Sequence, residues 1–183
     1  LKSWVAVCLS DLNFFLRVHR EYSLLVCDRG VVVISQFIHT RYWSVDSHKS
    51  LEDQRRLVQA ASFLAGGRIV AFPTETVYGL GANALCPRAV ERVYLAKGRP
   101  ADNPMIVHID SLRQAKYLVR QIPLKARILA GRFWPGPLTL VMSKDPGIPD
   151  EVTAGLDTVA VRMPGHRIAR ELIRLSGFPI AAP

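Results

Sequence analysis

Between Gly66 and Ile109 the chain reads GGRIVAFPTETVYGLGANALCPRAVERVYLAKGRPADNPMIVHI. Lys97 and Arg99 flank a glycine that lets the backbone turn, so both cations can reach one side. A triphosphate losing pyrophosphate needs positive charge around it, and charge-assisted contacts are the strong ones. The same pair at a helix C-terminus could instead serve the helix dipole. Thr74, Thr76 and Tyr78 follow the short apolar run Ile69–Phe72, and loops beyond strand ends are where α/β proteins place ligands. Thr74 could equally close a turn with its own hydroxyl. Asn103 precedes a proline, an ordinary turn position, and His108 ends a second apolar run, Met105–Val107. Further on, Thr158 and Arg162 stand four residues apart, so on a strand their side chains share a face. A guanidinium facing a pocket suits a carboxylate, bound by two parallel bonds. Together these residues describe a pocket for an anionic ligand.

The elements that must position them follow from pattern. Ser50-Leu51-Glu52-Asp53 reads as a variant capping box. Leu57, Val58, Ala61, Leu64 and Ala65 then repeat at helical spacing until Gly66-Gly67. Pro73 stops the first strand, because it has no N–H to give. Pro87 opens a second helix that Gly98 and Pro100 close. Ser111 caps a helix whose apolar face is Leu112, Ala115, Leu118 and Val119, and Pro123 starts another that ends near Phe133. Strands are expected at Leu138–Met142, Thr158–Met163 and Pro179–Ala182, with a helix from His166 to Leu175. Phe133, Trp134 and Thr139 read as packing and turn residues. Strands alternating with helices make this an α/β chain, and pattern alone favours a mainly parallel sheet. Residues 1–40 are harder to read. Leu24–Val26 and Val31–Ile34 are possible strands around an Asp28-Arg29-Gly30 turn, and Asn13–Val18 could begin a helix.

Composition bounds the function. The chain has 183 residues and a net charge of +9, enough length for one domain with a real core. Residues 1–40 hold four basic and three acidic side chains, so +8 of that charge belongs to residues 41–183. Such an excess favours nucleotide, tRNA or another polyanion as partner. The three cysteines, Cys8, Cys27 and Cys86, have no metal-binding spacing and cannot all pair. Reduced thiols in a cytoplasmic protein are therefore expected. No run approaches the roughly 18–20 apolar residues of a membrane span. No Gly-x-x-x-x-Gly-Lys-Ser/Thr loop occurs, so this is not a P-loop nucleotidase. Gly-x-Ser-x-Gly and clustered metal ligands are also missing from the sequence.

PTETVYGLGANA, KGRPADNPMIVHI, FWPGPLTLVM and TVAVRMPGHRIARELI, in that order, resemble the YrdC-like domain of threonylcarbamoyl-AMP synthases. The resemblance covers about Tyr42 to Pro183, which divides the chain into an extension, residues 1–40, and a YrdC-like domain, residues 41–183. It implies a YrdC-like mixed, twisted sheet flanked by helices, with a concave basic face for ligands, in place of the mainly parallel sheet. It implies synthesis of threonylcarbamoyl-AMP and pyrophosphate from L-threonine, bicarbonate and ATP, feeding N6-threonylcarbamoyladenosine formation in tRNA. By that resemblance Lys97 and Arg99 act on the phosphates, with Asn103 and Thr158 also on the nucleotide. Thr76, Tyr78, His108, Arg162 and the backbone of Ala182 surround the threonine. Mg²⁺ is expected with ATP, and Glu75 and Asp102 are carboxylates that could help place it. In the family the last strand leads into a Ser-x-Asn motif and further sheet. The sequence stops at Pro183, so the expectation is a C-terminally incomplete domain, poorly soluble and weakly active alone, with Pro179–Ala182 an unpaired apolar edge. Two alternatives remain open: a non-catalytic RNA-binding module, and a carbamoyl-AMP-forming domain of a carbamoyltransferase.

Overall fold

The computed structural model describes residues 3–8, 25–27, 30–32, 40–46 and 50–183. The first strands are β1 (Ser3–Cys8), β2 (Leu25–Cys27), β3 (Gly30–Val32) and β4 (Thr40–Val45), followed by helix α1 (Leu51–Ala65). Next come β5 (Val70–Phe72), β6 (Gly79–Asn83), α2 (Pro87–Lys97), β7 (Ile106–His108) and the one-turn α3 (Leu112–Ala115). The chain continues through α4 (Leu124–Phe133), β8 (Thr139–Ser143), α5 (Asp150–Thr153), β9 (Thr158–Arg162), α6 (Arg167–Ser176) and β10 (Ile180–Ala182). Among the described residues β2 and β3 pair only with each other. The strands expected on either side of Asp28-Arg29-Gly30 are thus present, while Asn13–Val18 lies outside the described residues.

The other strands form one sheet in the order β4-β1-β5-β6-β10-β7-β9-β8. The mixed sheet implied by the family resemblance is the one observed. The parallel reading from pattern is corrected, because among the described strands only β7 and β9 run parallel. The alternation of elements misled it: β6 follows β5 through a loop and β9 follows a hairpin-like return, so helices are not the only crossovers. β1 pairs with both β4 and β5. β6 is a strand that apolar periodicity does not reveal, since it reads Gly-Leu-Gly-Ala-Asn.

The last strand requires another correction. β10 is not an unpaired edge: it lies between β6 and β7, antiparallel to both, with Ile180, Ala181 and Ala182 all buried. Its alternate residues feed two cores. Ile180 and Ala182 join Val70 and Phe72 beneath Leu57 and Leu64 of α1 and Leu172 and Ile173 of α6. Ala181 points the other way, with Ala82, Val107, Val159 and Val161, toward Val90 and Val93 of α2 and Val152 of α5. Burying a Leu or Val side chain is worth about 1.5–3 kcal/mol, so both faces hold β10 firmly.

Helix ends follow their local chemistry. Ser50 accepts a hydrogen bond from Asp53 N, as its capping position requires. α2 ends at Gly98 with φ 59°, where the Gly98 and Arg99 amides donate to the Leu95 and Tyr94 carbonyls. That left-handed residue favours glycine. The helix expected from Ser111 stops at Ala115, and Leu118 and Val119 are buried in turns beyond it. Among the described residues no helix is long and apolar enough to cross a membrane.

Candidate active site

α1 and α6 cover only part of one sheet face. Over β7, β9 and β8 that same face is less covered, and its residues form cross-strand rows. His108 lies opposite Arg162, and Arg162 opposite Thr139. The next row is Ala182, Ile106, Ala160 and Val141. Thr158 and Ser143 make a third row near the end where β7 begins. On β9 the exposure alternates, with Val159 and Val161 buried and Thr158, Ala160 and Arg162 more open. Thr158 and Arg162 therefore share the uncovered face, as their spacing predicts. β9 is also an interior strand, which removes the reading of Arg162 as an edge-strand surface residue.

Near the start of β7, the last residue of α2 and the turn after it bring in Lys97 and Arg99. Lys97 is exposed, and its ammonium is held below its ordinary value by partial burial and then by Arg99. Arg99 donates from Nε to Asn103 O at 3.4 Å and from a terminal nitrogen to Pro104 O at 3.3 Å. Tyr94 Oη also donates to Asn103 O, at 2.9 Å. The Asn103-Pro104 turn is thus strapped to α2 through its backbone, leaving the exposed Asn103 amide for a ligand. Among the described residues no carboxylate pairs with Lys97 or Arg99. Two neighbouring cations without an anion are arranged to receive one.

The opposite end carries the buried histidine. His108 is 5% exposed, and its imidazole is driven down to about 4. Desolvation is the main cause and the Arg162 guanidinium the second, against weaker pulls from the Ile106 and Ile180 carbonyls and Glu75. The ring is therefore neutral near pH 7. Nδ1 lies 3.2 Å from Ile106 O, and a carbonyl only accepts, so Nδ1 is the donor. The Phe72 ring meets the imidazole edge-on at 6.0 Å. Arg162 Nε donates to Thr139 Oγ1 at 2.9 Å, which fixes the guanidinium on the sheet face.

The loop after β5 borders this end. Thr74 donates its hydroxyl to Val77 O and accepts from the amides of Thr76, at 3.3 Å, and Val77, at 3.2 Å. Thr74 is thus the turn-former that its alternative reading described. Its one proton is committed, so Thr76 Oγ1 is the donor in the 3.1 Å contact between the two hydroxyls. Thr76 and Tyr78 are exposed. Glu75 Oε2 accepts from Gly165 N at 3.1 Å, across the mouth of the site.

Two supporting residues escape a sequence reading. Thr139 reads as packing, and only the β8–β9 register puts it on Arg162. Glu75 reads as an Mg²⁺ candidate, yet it binds a backbone amide. Among the described residues no three carboxylates, histidines or cysteines converge as metal ligands.

A family model named Sua5_yciO_yrdC, described as telomere recombination, matches residues 62–183. The chain belongs to the Sua5/YciO/YrdC family. Within it, the chain is 63% identical over 124 residues to a threonylcarbamoyl-AMP synthase of Pyrococcus abyssi, covering 68% of this chain and 36% of that protein. It is 53% identical over 146 residues to the Bacillus subtilis threonylcarbamoyl-AMP synthase, covering 79% of this chain and 42% of the other. The structure of P. abyssi Sua5 complexed with L-threonine superposes with a TM-score of 0.70 at 60% identity, over 71% of this chain and 38% of that one. The Sua5/YciO/YrdC chain described here thus spans about two-fifths of the length of these relatives.

Proposed function

We propose that the open sheet face joins L-threonine, bicarbonate and MgATP into threonylcarbamoyl-AMP, releasing pyrophosphate. The observation that carries this reading is the chemical difference between the two ends of β7. A cation pair without a carboxylate partner among the described residues stands at one end, and a neutral buried histidine beside a fixed arginine at the other. The small Ala182, Ile106 and Ala160 row lies between them. High identity to threonylcarbamoyl-AMP synthases supports the choice of reaction.

In the reaction, the threonine amine attacks bicarbonate carbon and water leaves, giving the carbamate. A carbamate oxygen then attacks the α-phosphorus, and the bond to the bridging oxygen of pyrophosphate breaks. No covalent enzyme intermediate is needed, so the chain's contribution is positioning and charge neutralisation. Arg162 takes the threonine carboxylate through the guanidinium nitrogens that Thr139 leaves free. His108, being neutral, keeps one acceptor nitrogen for the β-hydroxyl. Thr76, Tyr78 and the Ala182 backbone complete the amino-acid end. Lys97 and Arg99 draw charge from the phosphates, with Asn103 and Thr158 on the rest of the nucleotide. Mg²⁺ comes with ATP as part of the substrate. The product then supplies N6-threonylcarbamoyladenosine formation in tRNA, through a separate transfer step in a cytoplasmic setting.

The test is pyrophosphate release by the protein carrying this chain, with threonylcarbamoyl-AMP detected by mass. Release should require both L-threonine and bicarbonate. Release that ignores threonine overturns the reading. A second reading, contact with RNA, has its own observation: from Ser111 to Lys144 there are seven basic residues and no acidic one. Six of the seven, all but Lys144, are exposed. Backbone-led RNA binding would weaken steeply with salt.

A further inference from the structure

α6 begins without the usual help at its N-terminus. Its N-cap, His166, makes no side-chain capping bond, and the first turn holds no acidic residue. Arg167 and Arg170 stand there instead, cations at the end where the helix dipole is positive. His166 Nδ1 is buried without a partner among the described residues, and burial lowers the affinity of that ring for a proton. A carboxylate at this helix end would offset both features, and one is supplied from far away in sequence. Glu75 Oε2 accepts the Gly165 N–H, one residue before the cap and 90 residues along the chain from Glu75.

The location of this bond gives it a role beyond helix capping. On one side, Glu75 is embedded in the turn that Thr74 closes, so anchoring Glu75 also anchors Thr76 beside it. On the other side, Gly165 lies three residues beyond Arg162, whose guanidinium Thr139 already fixes. The Glu75 carboxylate acts electrostatically on both His108 and His166, so it is near both the buried imidazole and the start of α6. Two walls of the amino-acid end, the loop after β5 and the turn after β9, meet through this contact. We propose that Glu75 is a positioning residue that sets the width of the amino-acid pocket, holding Thr76 and Tyr78 at a fixed distance from Arg162. This rests on the reading that the pocket takes L-threonine. Glu75 touches neither substrate nor phosphate in this role, and it acts through the loop it latches.

The test compares Glu75→Ala with Glu75→Gln. The amide oxygen of glutamine still accepts from Gly165, whereas alanine cannot. Glu75 is exposed, so water screens the contact and the effect is moderate. L-threonine affinity by calorimetry should fall about tenfold in Glu75→Ala and stay within about threefold in Glu75→Gln, while ATP affinity changes less than about twofold in either. Hydrogen exchange without ligand gives an independent readout: amides at residues 165–168 should exchange faster in the alanine variant alone. Equal loss of threonine and ATP affinity in Glu75→Ala, or unchanged threonine affinity, would overturn the proposal. So would unchanged exchange at residues 165–168. If the unmutated protein binds ATP but no L-threonine, the substrate reading fails, while the exchange comparison still decides whether the latch exists.

Discussion

The neutral, buried state of His108 makes a prediction with a definite sign. The ring sits at 5% exposure beside Arg162, and its proton affinity drops from an ordinary value of 6.5 to about 4. Below pH 6.5 the unfolded chain takes up a proton that the folded chain refuses until about pH 4. The unfolded state then binds more protons, so stability rises with pH across that window. The contribution is complete above pH 6.5 and is lost as pH falls toward 4. Linkage between those two values gives a loss of about 2 kcal/mol between pH 7.5 and pH 5. Carboxylates also titrate near the lower end, so the measurement must be a difference. Urea unfolding of the unmutated protein and of His108→Gln should be followed from pH 7.5 to pH 5. The unmutated protein should lose about 2 kcal/mol more than the variant, even if the variant is less stable throughout. The ring proton resonances of His108 should titrate near pH 4. A midpoint near 6.5, or parallel stability curves, would refute the link between burial and a neutral ring. The functional counterpart is discrimination of threonine from valine, which should narrow in His108→Ala if a neutral nitrogen accepts from the β-hydroxyl.

The other predictions follow from contacts already described. Lys97→Ala should weaken ATP binding about tenfold with an unchanged melting curve, since an exposed cation supplies charge and little packing. An unaltered ATP affinity would favour the helix-dipole role. Arg162→Lys keeps the charge but loses the planar fork and its bond to Thr139, so threonine affinity should fall more than ATP affinity in paired titrations. Gly81→Ala should cost about 1–3 kcal/mol in urea unfolding. A Cβ there would lie 2.5 Å from Ile180 Cγ2 and 2.7 Å from Phe72 Cε1, so the ring over the strand must move. A neutral substitution would mean that the Phe72 ring adjusts freely.

Most helices and apolar strands are legible because burial imprints a period on the sequence. α1 shows its cap, stripe and terminating glycines in plain view, Pro87 and Gly98 bound α2, Pro123 opens α4, and β9 shows its open face through the spacing of Thr158 and Arg162. β6 is hidden for a physical reason. Gly79 and Gly81 have no side chains because the Phe72 ring occupies the space above them, at 3.2 Å and 2.7 Å from where each Cβ would be. The strand's hydrophobic contribution on that face comes from its neighbour, so no periodicity appears in its own residues. The central position of β10 is equally invisible. Three small apolar residues fit an edge or a centre alike, and only the antiparallel pairing with β6 and β7 distinguishes them.

The site was legible as residue types but not as a constellation. Lys97, Arg99, His108 and Arg162 stand out individually, because cations beside glycines and polar groups ending apolar runs are conspicuous. What the sequence leaves out is which residues support them. Thr139 reaches Arg162 through an antiparallel register, and Glu75 reaches Gly165 across 90 residues, and neither relation has a local signature. A charge-assisted hydrogen bond of this kind is worth about 1.5–3 kcal/mol at most, and less where water screens it, and a single pair of this sort leaves no periodic mark on the chain nearby. Its effect on a pocket is larger than its effect on stability, because it fixes where a charged group stands. Arg162 illustrates this. Without Thr139 its side chain would still be a cation on an open face, but its nitrogens would sample several directions, and a carboxylate would have to order them on binding. With Nε bound, the terminal nitrogens are already presented, and less conformational entropy is lost when the ligand arrives.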